Sequence, residues 1–136
     1  MVGYGCQRGG ALNLPAGVET PVALTSSSNY TRGTVQLIDG NQRFQVTFAG
    51  TYRLTYNVNL TAPAAFRVQF IRNGNTPLHT SASTLHALAQ DTNCAADIIY
   101  TLSANDTIQL SFLSATDSSV SLVVGCGAAV TIERLA

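Results

Sequence analysis

The sequence of 136 residues contains no lysine and no tryptophan, and charged residues make up only 10% of it. Seven arginines balance seven acidic residues, so the formal net charge at pH 7 is zero. Nucleic acids and anionic membranes both bind proteins through clustered cations, which this composition does not supply. We therefore expect neither kind of partner. Without a lysine amine, the chain also cannot form an isopeptide cross-link to itself or to a neighbour.

No pattern for an enzyme or a bound cofactor is present. The sequence lacks a G-x-S-x-G turn, a C-x-x-C pair and a phosphate-binding loop with its lysine. The two histidines, His79 and His86, are seven residues apart, which is not the spacing of two ligands on one helix face. We expect no enzymatic activity, no cofactor and no metal.

Two further absences concern location. The first residues contain no basic stretch followed by an apolar run, so we expect no secretory signal. No segment of about 18 consecutive apolar residues occurs, which excludes a membrane-spanning helix. The sequence therefore predicts neither export through a signal peptide nor insertion into a membrane.

The three cysteines are an odd number and lack the spacing of a zinc site. One interpretation is three thiols, two of them buried in strands, because cysteine is often buried in protein cores. Another is a disulfide between Cys6 and a neighbouring subunit, because a leftover cysteine suggests pairing between chains. A metal site is the remaining interpretation. The candidates for an inter-subunit disulfide are Cys6, Cys94 and Cys126.

Apolar and polar residues alternate through most of the chain. In residues 51–61 every second side chain is apolar, which predicts a long strand with one buried and one polar face. The same rhythm recurs in shorter runs that are separated by turn signals such as Asp39-Gly40 and Asn73-Gly74. About eight or more short strands at roughly ten-residue spacing predict an all-β fold, a sandwich or jelly roll.

Residues 1–10 differ from the rest because they are rich in glycine and have no apolar pattern. We predict that they form a connector arm that docks on another copy, and that residues 11–136 form one domain. The strands of that domain carry Thr, Ser, Asn and Gln outward, and such side chains can be buried between subunits without desolvating ions. The composition thus favours an oligomer. The named residues of the predicted arm are Val2, Gly3, Tyr4 and Gly5.

A resemblance to the C1q/tumour-necrosis-factor-like superfamily begins at residues 43–56. Their sequence, RFQVTFAGTYRLTY, resembles the F…GxYxFxY core of that superfamily. Residues 68–74 are similar to its strand with an Asn-Gly hairpin, and residues 100–110 are similar to its L…GDxVxL strand pair. The resemblance covers residues 11–136 and implies a jelly roll of about ten strands that forms a compact trimer.

In trimers of this superfamily, an aromatic and aliphatic face of each protomer packs against its neighbour. The resemblance implies that large apolar residues contribute to this face, and packing inside the protomer core is the alternative for each of them. The trimer-interface candidates are Tyr52, Tyr56, Phe66, Phe70 and Phe112.

The side chains of Arg53 and Arg67 alternate with the apolar ones and are therefore expected on the polar faces of their strands. They could pair with Asp97 or Glu133, or they could face water.

The end of the chain resembles one group within this superfamily. Residues 128–136, AAVTIERLA, are similar to the closing strand of BclA-like exosporium heads of spore-forming bacteria, although no Gly-X-Y collagen repeat precedes them. This implies a structural, self-assembling subunit of the spore surface, in the exosporium or an appendage. Trimeric heads joined by N-terminal arms would form a fibre or layer with other spore-surface proteins. Such proteins are made in the mother-cell cytoplasm, and oxidising surroundings after release permit a disulfide.

The alternative interpretation within the same superfamily is a trimeric recognition head. Such a head would bind a receptor or a glycan through loops at one end of the sandwich. The candidate loops are residues 73–76, 83–93 and 116–119.

Overall fold

The computed structural model describes residues 2–7, 9–24, 29–33, 35–61, 66–85, 93–123 and 126–136, with the backbone alone for residues 79–85. Thirteen strands and no helix form in these ranges. The strands are β1 (Val2–Gln7), β2 (Gly10–Leu14), β3 (Thr20–Pro21), β4 (Tyr30–Arg32), β5 (Val35–Ile38), β6 (Arg43–Val46), β7 (Gly50–Asn59), β8 (Phe66–Arg72), β9 (Thr76–Leu85), β10 (Asn93–Leu102), β11 (Thr107–Leu113), β12 (Ser118–Leu122) and β13 (Ala128–Arg134).

Two antiparallel sheets pack on each other. The first, which we call the five-stranded sheet, has the order β10-β7-β13-β1-β4. The second has the order β5-β6-β11-β8-β9, and β3 pairs with β11 beside it. Strands β12 and β2 form a separate two-stranded ribbon. The predicted all-β sandwich is thereby confirmed.

The alternation of residues in β7 builds one side of the core. Tyr52, Leu54 and Tyr56 are fully buried, whereas the residues between them point away from the second sheet. The ring of Tyr56 meets Phe70 of β8 edge-on, with centroids 5.2 Å apart, and its hydroxyl donates a hydrogen bond to the carbonyl of Val68. Because the buried phenol has this acceptor, the tyrosine can occupy the core without leaving an unpaired hydroxyl.

Strand β1 corrects the predicted connector arm. Residues Val2–Gln7 pair along their whole length with β13 and in part with β4, so β1 lies inside the five-stranded sheet. Gly3 and Gly5 are buried there, and a Cβ on Gly3 would come within 2.7 Å of both Phe44 and Val35. The glycines are therefore explained by a core that lies close to the backbone rather than by a flexible linker.

A buried carboxylate joins two turns at one end of the sandwich. The predicted Asn73-Gly74 hairpin connects β8 to β9, and the positive φ of both residues, 53° and 74°, is that of a type I′ turn. Asp106 is 6% exposed and accepts hydrogen bonds from the side chains of Arg72 and Asn73, both at 3.0 Å. It also accepts one from the amide of Ser103 at 2.8 Å. This network fixes the hairpin to the turn before β11.

Replacing Gly3 by alanine tests the position of β1. We expect the free energy of unfolding to fall by about 1–3 kcal/mol, because the new methyl group must displace core side chains. Chemical denaturation measures the change. Gln36→Ala on the exposed side of β5 serves as the control and should change stability by less than about 0.5 kcal/mol. If Gly3→Ala were as stable as the original chain, β1 would not be an internal strand.

Replacing Asp106 by asparagine tests the buried network. Burial acts to raise the pKa of Asp106, but the hydrogen bonds from Asn73, Ser103 and Arg72 outweigh it and hold that pKa below its usual value. The stabilisation is therefore complete above the usual aspartate range and is lost as the pH falls through the lower, folded-state pKa. Asp106→Asn should cost about 1–3 kcal/mol at pH 7 and should weaken the acid dependence.

Urea denaturation at pH 7 and at pH 3 measures both effects of Asp106→Asn. Asp39→Asn is the matched control, because Asp39 is an exposed acid that lies 3.7 Å from Arg43. An acid dependence that is equal in Asp106→Asn and in the original chain would contradict this role of Asp106.

Candidate functional site: the outer face of the five-stranded sheet

The side of the five-stranded sheet that points away from the core forms one continuous surface, which we call the outer face. Residues directly opposite one another on neighbouring strands point to the same side, so the register arranges them in rows. One row runs Arg32, Val2, Glu133, Arg53, Ile99. The next runs Tyr30, Tyr4, Thr131, Thr55, Asp97, and a third runs Cys6, Ala129, Asn57, Ala95.

The outer face carries exposed apolar side chains at each of its two edges, which we call its margins. On the β10 margin Ile99 is 65% exposed, the largest exposed fraction among the large apolar side chains of the described residues; Ala95 is also exposed, and Asp97 lies between the two. On the β1–β4 margin Tyr30 is 52% exposed beside the exposed Arg32, and Val2 and Tyr4 are half-buried. Both margins are therefore mixed apolar and charged surfaces, which makes the outer face a candidate for contact with another protein.

An ion pair lies on the outer face beside its β10 edge, between Arg53 of β7 and Asp97 of β10. Arg53 Nε donates to both carboxylate oxygens of Asp97, at 3.0 and 3.1 Å, and a terminal guanidinium nitrogen lies 2.6 Å from Oδ2. The hydroxyl of Thr55 also donates to Asp97, at 3.2 Å. These hydrogen bonds, first of all those from Arg53, lower the pKa of Asp97. Of the pairings open to Arg53 from sequence, the one with Asp97 is formed.

A shallow depression lies beside this pair and is lined by Arg53, Thr55, Thr131 and Glu133. The hydrogen bond and the charge of Asp97 raise the pKa of the Arg53 guanidinium, and Glu133, which stands opposite Arg53 in the register, adds a smaller effect in the same direction. The two carboxylates and one guanidinium thus share a small polar area that extends from Glu133, in the middle of the sheet, to Asp97 on its β10 edge. In the residues that the structure describes, no group of three metal-ligating side chains occurs.

Asparagines cover the end of the outer face that lies beyond Ala95. The side-chain amide of Asn93 donates to the side-chain oxygens of both Asn57 and Asn59, each at 2.6 Å. The three side chains satisfy one another while the face carries no formal charge here. Such a neutral polar cluster can be covered by a partner at lower cost than an ion.

The cysteines pair within one chain, which corrects the prediction of an inter-subunit disulfide. Cys6 of β1 and Cys126, just before β13, form a disulfide with their Cα atoms 5.4 Å apart. The third cysteine, Cys94, is buried in β10 and belongs to the core cluster. The hydroxyl of Tyr4 lies 3.1 Å from the sulfur of Cys126. Sequence spacing could not identify the pair, because 120 positions separate the two cysteines.

The aromatic residues predicted for the trimer interface are core residues instead. None is more than 3% exposed in the protomer, so none can reach a neighbouring subunit without unfolding. Their alternation with polar residues points them toward the second sheet. They are Tyr52, Tyr56, Phe66, Phe70 and Phe112.

The candidate loops for a recognition head are only partly loops. Residues 83–85 belong to β9, Asn93 begins β10, and Ser118 and Ser119 begin β12. The rest of the 83–93 segment, including His86, lies outside the described residues, as does the side chain of His79. Among the described residues no helix is long and apolar enough to cross a membrane.

The architecture is that of tumour-necrosis-factor ligands. A structure of Eiger TNF from S. frugiperda aligns over 100% of this chain and 92% of its own, with a TM-score of 0.68 at 13% identity. The crystal structure of pika GITRL covers 100% of this chain and 97% of its own, with a TM-score of 0.59 at 18% identity. Rabbit GITRL covers 75% and 77%, with a TM-score of 0.53 at 21% identity. At these identities the likeness defines the fold class, a C1q/TNF-like jelly roll.

Sequence comparison identifies the family. The family model described as the BclA C-terminal domain matches residues 7–136, and the chain therefore belongs to the BclA C-terminal domain family. The predicted resemblance to C1q/TNF-like and BclA-like heads is confirmed. No curated protein sequence matches the chain at a significant level. The family match and the fold agree on a C1q/TNF-like head domain.

Replacing Arg53 by glutamine tests the ion pair of the outer face. We expect the pKa of Asp97 to rise toward the usual aspartate value, because the largest cause of its lowering is the hydrogen bond from Arg53. NMR titration of the side-chain carboxyl carbon measures this pKa directly. Arg67→Gln, an exposed arginine of the second sheet, should leave the Asp97 pKa unchanged. An unaltered Asp97 pKa in Arg53→Gln would count against the pair in solution.

Proposed function

We propose that this chain is a head domain of a structural protein of the bacterial spore surface and that three copies associate through the outer face. The observation that carries the proposal is the exposed apolar side chain on each margin, with Ile99 65% exposed on one edge and Tyr30 52% exposed on the other. Membership of the BclA C-terminal domain family supports both the trimer and the spore-surface location.

The two margins suit a head-to-tail arrangement. They lie at opposite edges of five strands, so about 20 Å separate them. Ile99 of one copy can then pack on Tyr4 and Tyr30 of the next copy, while its own tyrosines receive the isoleucine of the third. A contact between two different patches closes into a ring when the rotation permits it, and three copies give a three-fold ring.

The polar side chains of β7 and β10 on the outer face are compatible with burial in such a ring. The Arg53 guanidinium and the Asp97 carboxylate already neutralise each other with two-point geometry, which lowers the cost of removing them from water. The neighbouring Asn57, Asn59 and Asn93 carry no charge. An unpaired charge beside Ile99 would oppose association.

The spore-surface part of the proposal includes contacts with other spore-surface proteins and synthesis in the mother-cell cytoplasm. Linkage of heads through residues 1–10 is no longer part of it, since β1 occupies its own five-stranded sheet and Cys6 is bonded to Cys126. Higher assembly into a fibre or layer would have to use other surfaces of the trimer.

The recognition head remains a second prediction. The likeness to TNF-family ligands concerns the fold alone, and no described loop carries a feature that favours a receptor or a glycan. We therefore place it behind the structural role.

Replacing Ile99 by aspartate tests the proposed trimer. A carboxylate on the β10 margin would have to be desolvated against a neighbour's tyrosines, so we expect the trimer to dissociate while the protomer stays folded. Sedimentation equilibrium measures the mass, and circular dichroism measures the fold. Val18→Asp is the matched control, because Val18 is 50% exposed but lies outside the five-stranded sheet. A trimer that survives Ile99→Asp would contradict association through the outer face.

A further inference from the structure

The Cys6–Cys126 disulfide lies on the outer side of the five-stranded sheet, with its Cys6 end buried there. A Cβ added to Gly3 would contact Phe44 in the core, and one added to Gly5 would contact Leu24. The side chain of Cys6 points to the other side of the sheet, where it lies opposite Ala129 of β13. It is nevertheless fully buried, and it is not a member of the core cluster. The disulfide therefore connects the buried Cys6, on the outer side of the sheet, to the exposed Cys126.

The disulfide also touches the β1–β4 margin. Tyr4 precedes Cys6 by two residues, so both side chains point to the outer face, and the Tyr4 hydroxyl lies 3.1 Å from the Cys126 sulfur. The bond thus fixes two things at once, the position of the segment before β13 and the end of the Tyr4 ring. Tyr4 is one of the side chains on which Ile99 of the next copy would pack.

The fold around the disulfide does not depend on it alone. Strand β1 pairs with β13 at six positions, the amide of Cys6 donates to the side-chain oxygen of Asn29 at 2.9 Å, and the amide of Gly127 donates to the carbonyl of Gln7 at 2.9 Å. None of these strand pairings and hydrogen bonds involves a sulfur atom. Reduction would therefore loosen side chains on the outer face while the sheet persists.

We propose that the redox state of Cys6 and Cys126 controls association through the outer face, with the disulfide form associating and the dithiol form associating more weakly. This inference rests on the proposed trimer. In the disulfide form, Tyr4 and the Cys126 segment are already ordered. In the dithiol form, a neighbour would have to order them on binding, and that loss of side-chain freedom weakens association by about tenfold.

The chemistry requires an oxidant, which we take to be a low-molecular-weight disulfide. One cysteine thiolate attacks it and forms a mixed disulfide, releasing one small thiol. The second cysteine thiolate attacks the mixed disulfide, forms the Cys6–Cys126 bond and releases the other small thiol. In total, two protein thiols are oxidised to one disulfide and the small disulfide is reduced to two thiols. Oxidation after exposure at the cell exterior would then favour assembly there.

Sedimentation equilibrium of the full chain tests this inference. We compare the oxidised chain, the same chain in a phosphine reductant, the double variant Cys6→Ser with Cys126→Ser, and the matched control Cys94→Ser. The concentration at half-assembly should rise about tenfold in the reduced chain and in the double variant. It should stay the same in Cys94→Ser. Denatured oxidised protein should run as a monomer on a non-reducing gel, because the disulfide is within one chain.

The outcomes separate this inference from the proposed trimer. An oxidised chain that stays monomeric at all concentrations overturns the trimer itself. Oxidised trimers that are matched in strength by the reduced chain and by a folded double variant overturn redox control and leave the trimer intact. If the double variant unfolds, oxidised Tyr4→Phe takes its place, because it removes the hydroxyl next to Cys126 and keeps the bond. Unchanged association in that variant overturns the role of the Tyr4 contact on which redox control depends.

Discussion

The five-stranded sheet depends on two glycines that put no side chain where the core needs the space. Gly3 and Gly5 allow β1 to lie between β13 and β4, directly above Phe44 and Leu24. With larger residues, β1 would be displaced, and the sheet would lose the strand that connects its centre to its β4 edge. The continuity of the outer face, the site of the disulfide and the position of Tyr4 all follow from this close approach.

Much of the fold was predictable because burial imposes a simple rhythm on a strand. The period of two in residues 51–61 correctly predicted β7, and the Asn73-Gly74 pair correctly predicted the β8–β9 hairpin, since positive φ at both positions suits asparagine and glycine. The turn chemistry and the alternation are local properties. They can be read from neighbouring residues without knowing which strands pair.

The candidate site was harder to predict because it depends on contacts between distant segments. An aromatic residue in a strand looks the same whether it faces its own core or a neighbour, and Tyr56 and Phe70 face the core. Residues 1–10 look like a linker because glycine near a close packing contact and glycine in a flexible segment are identical in sequence. One signal in the sequence could have found the site. Ile99 is an apolar residue at a position of β10 where the alternation predicts a side chain facing solvent. Such a residue is a better interface candidate than an apolar residue at a position predicted to face the core.

The position of β1 also determines when the domain can be completed during synthesis. Its sheet neighbours are β4 and β13, and β13 is the last strand of the chain. Strand β1 therefore leaves the ribosome before the other strands of this domain but can be enclosed on both sides only after β13 has emerged. Until then the edge of β1 is open, and such an edge can pair with other chains. Long-range pairing of this kind makes folding slow compared with local hairpins. Newly made chains that are held close together would therefore be most at risk of exchanging β1 in this interval.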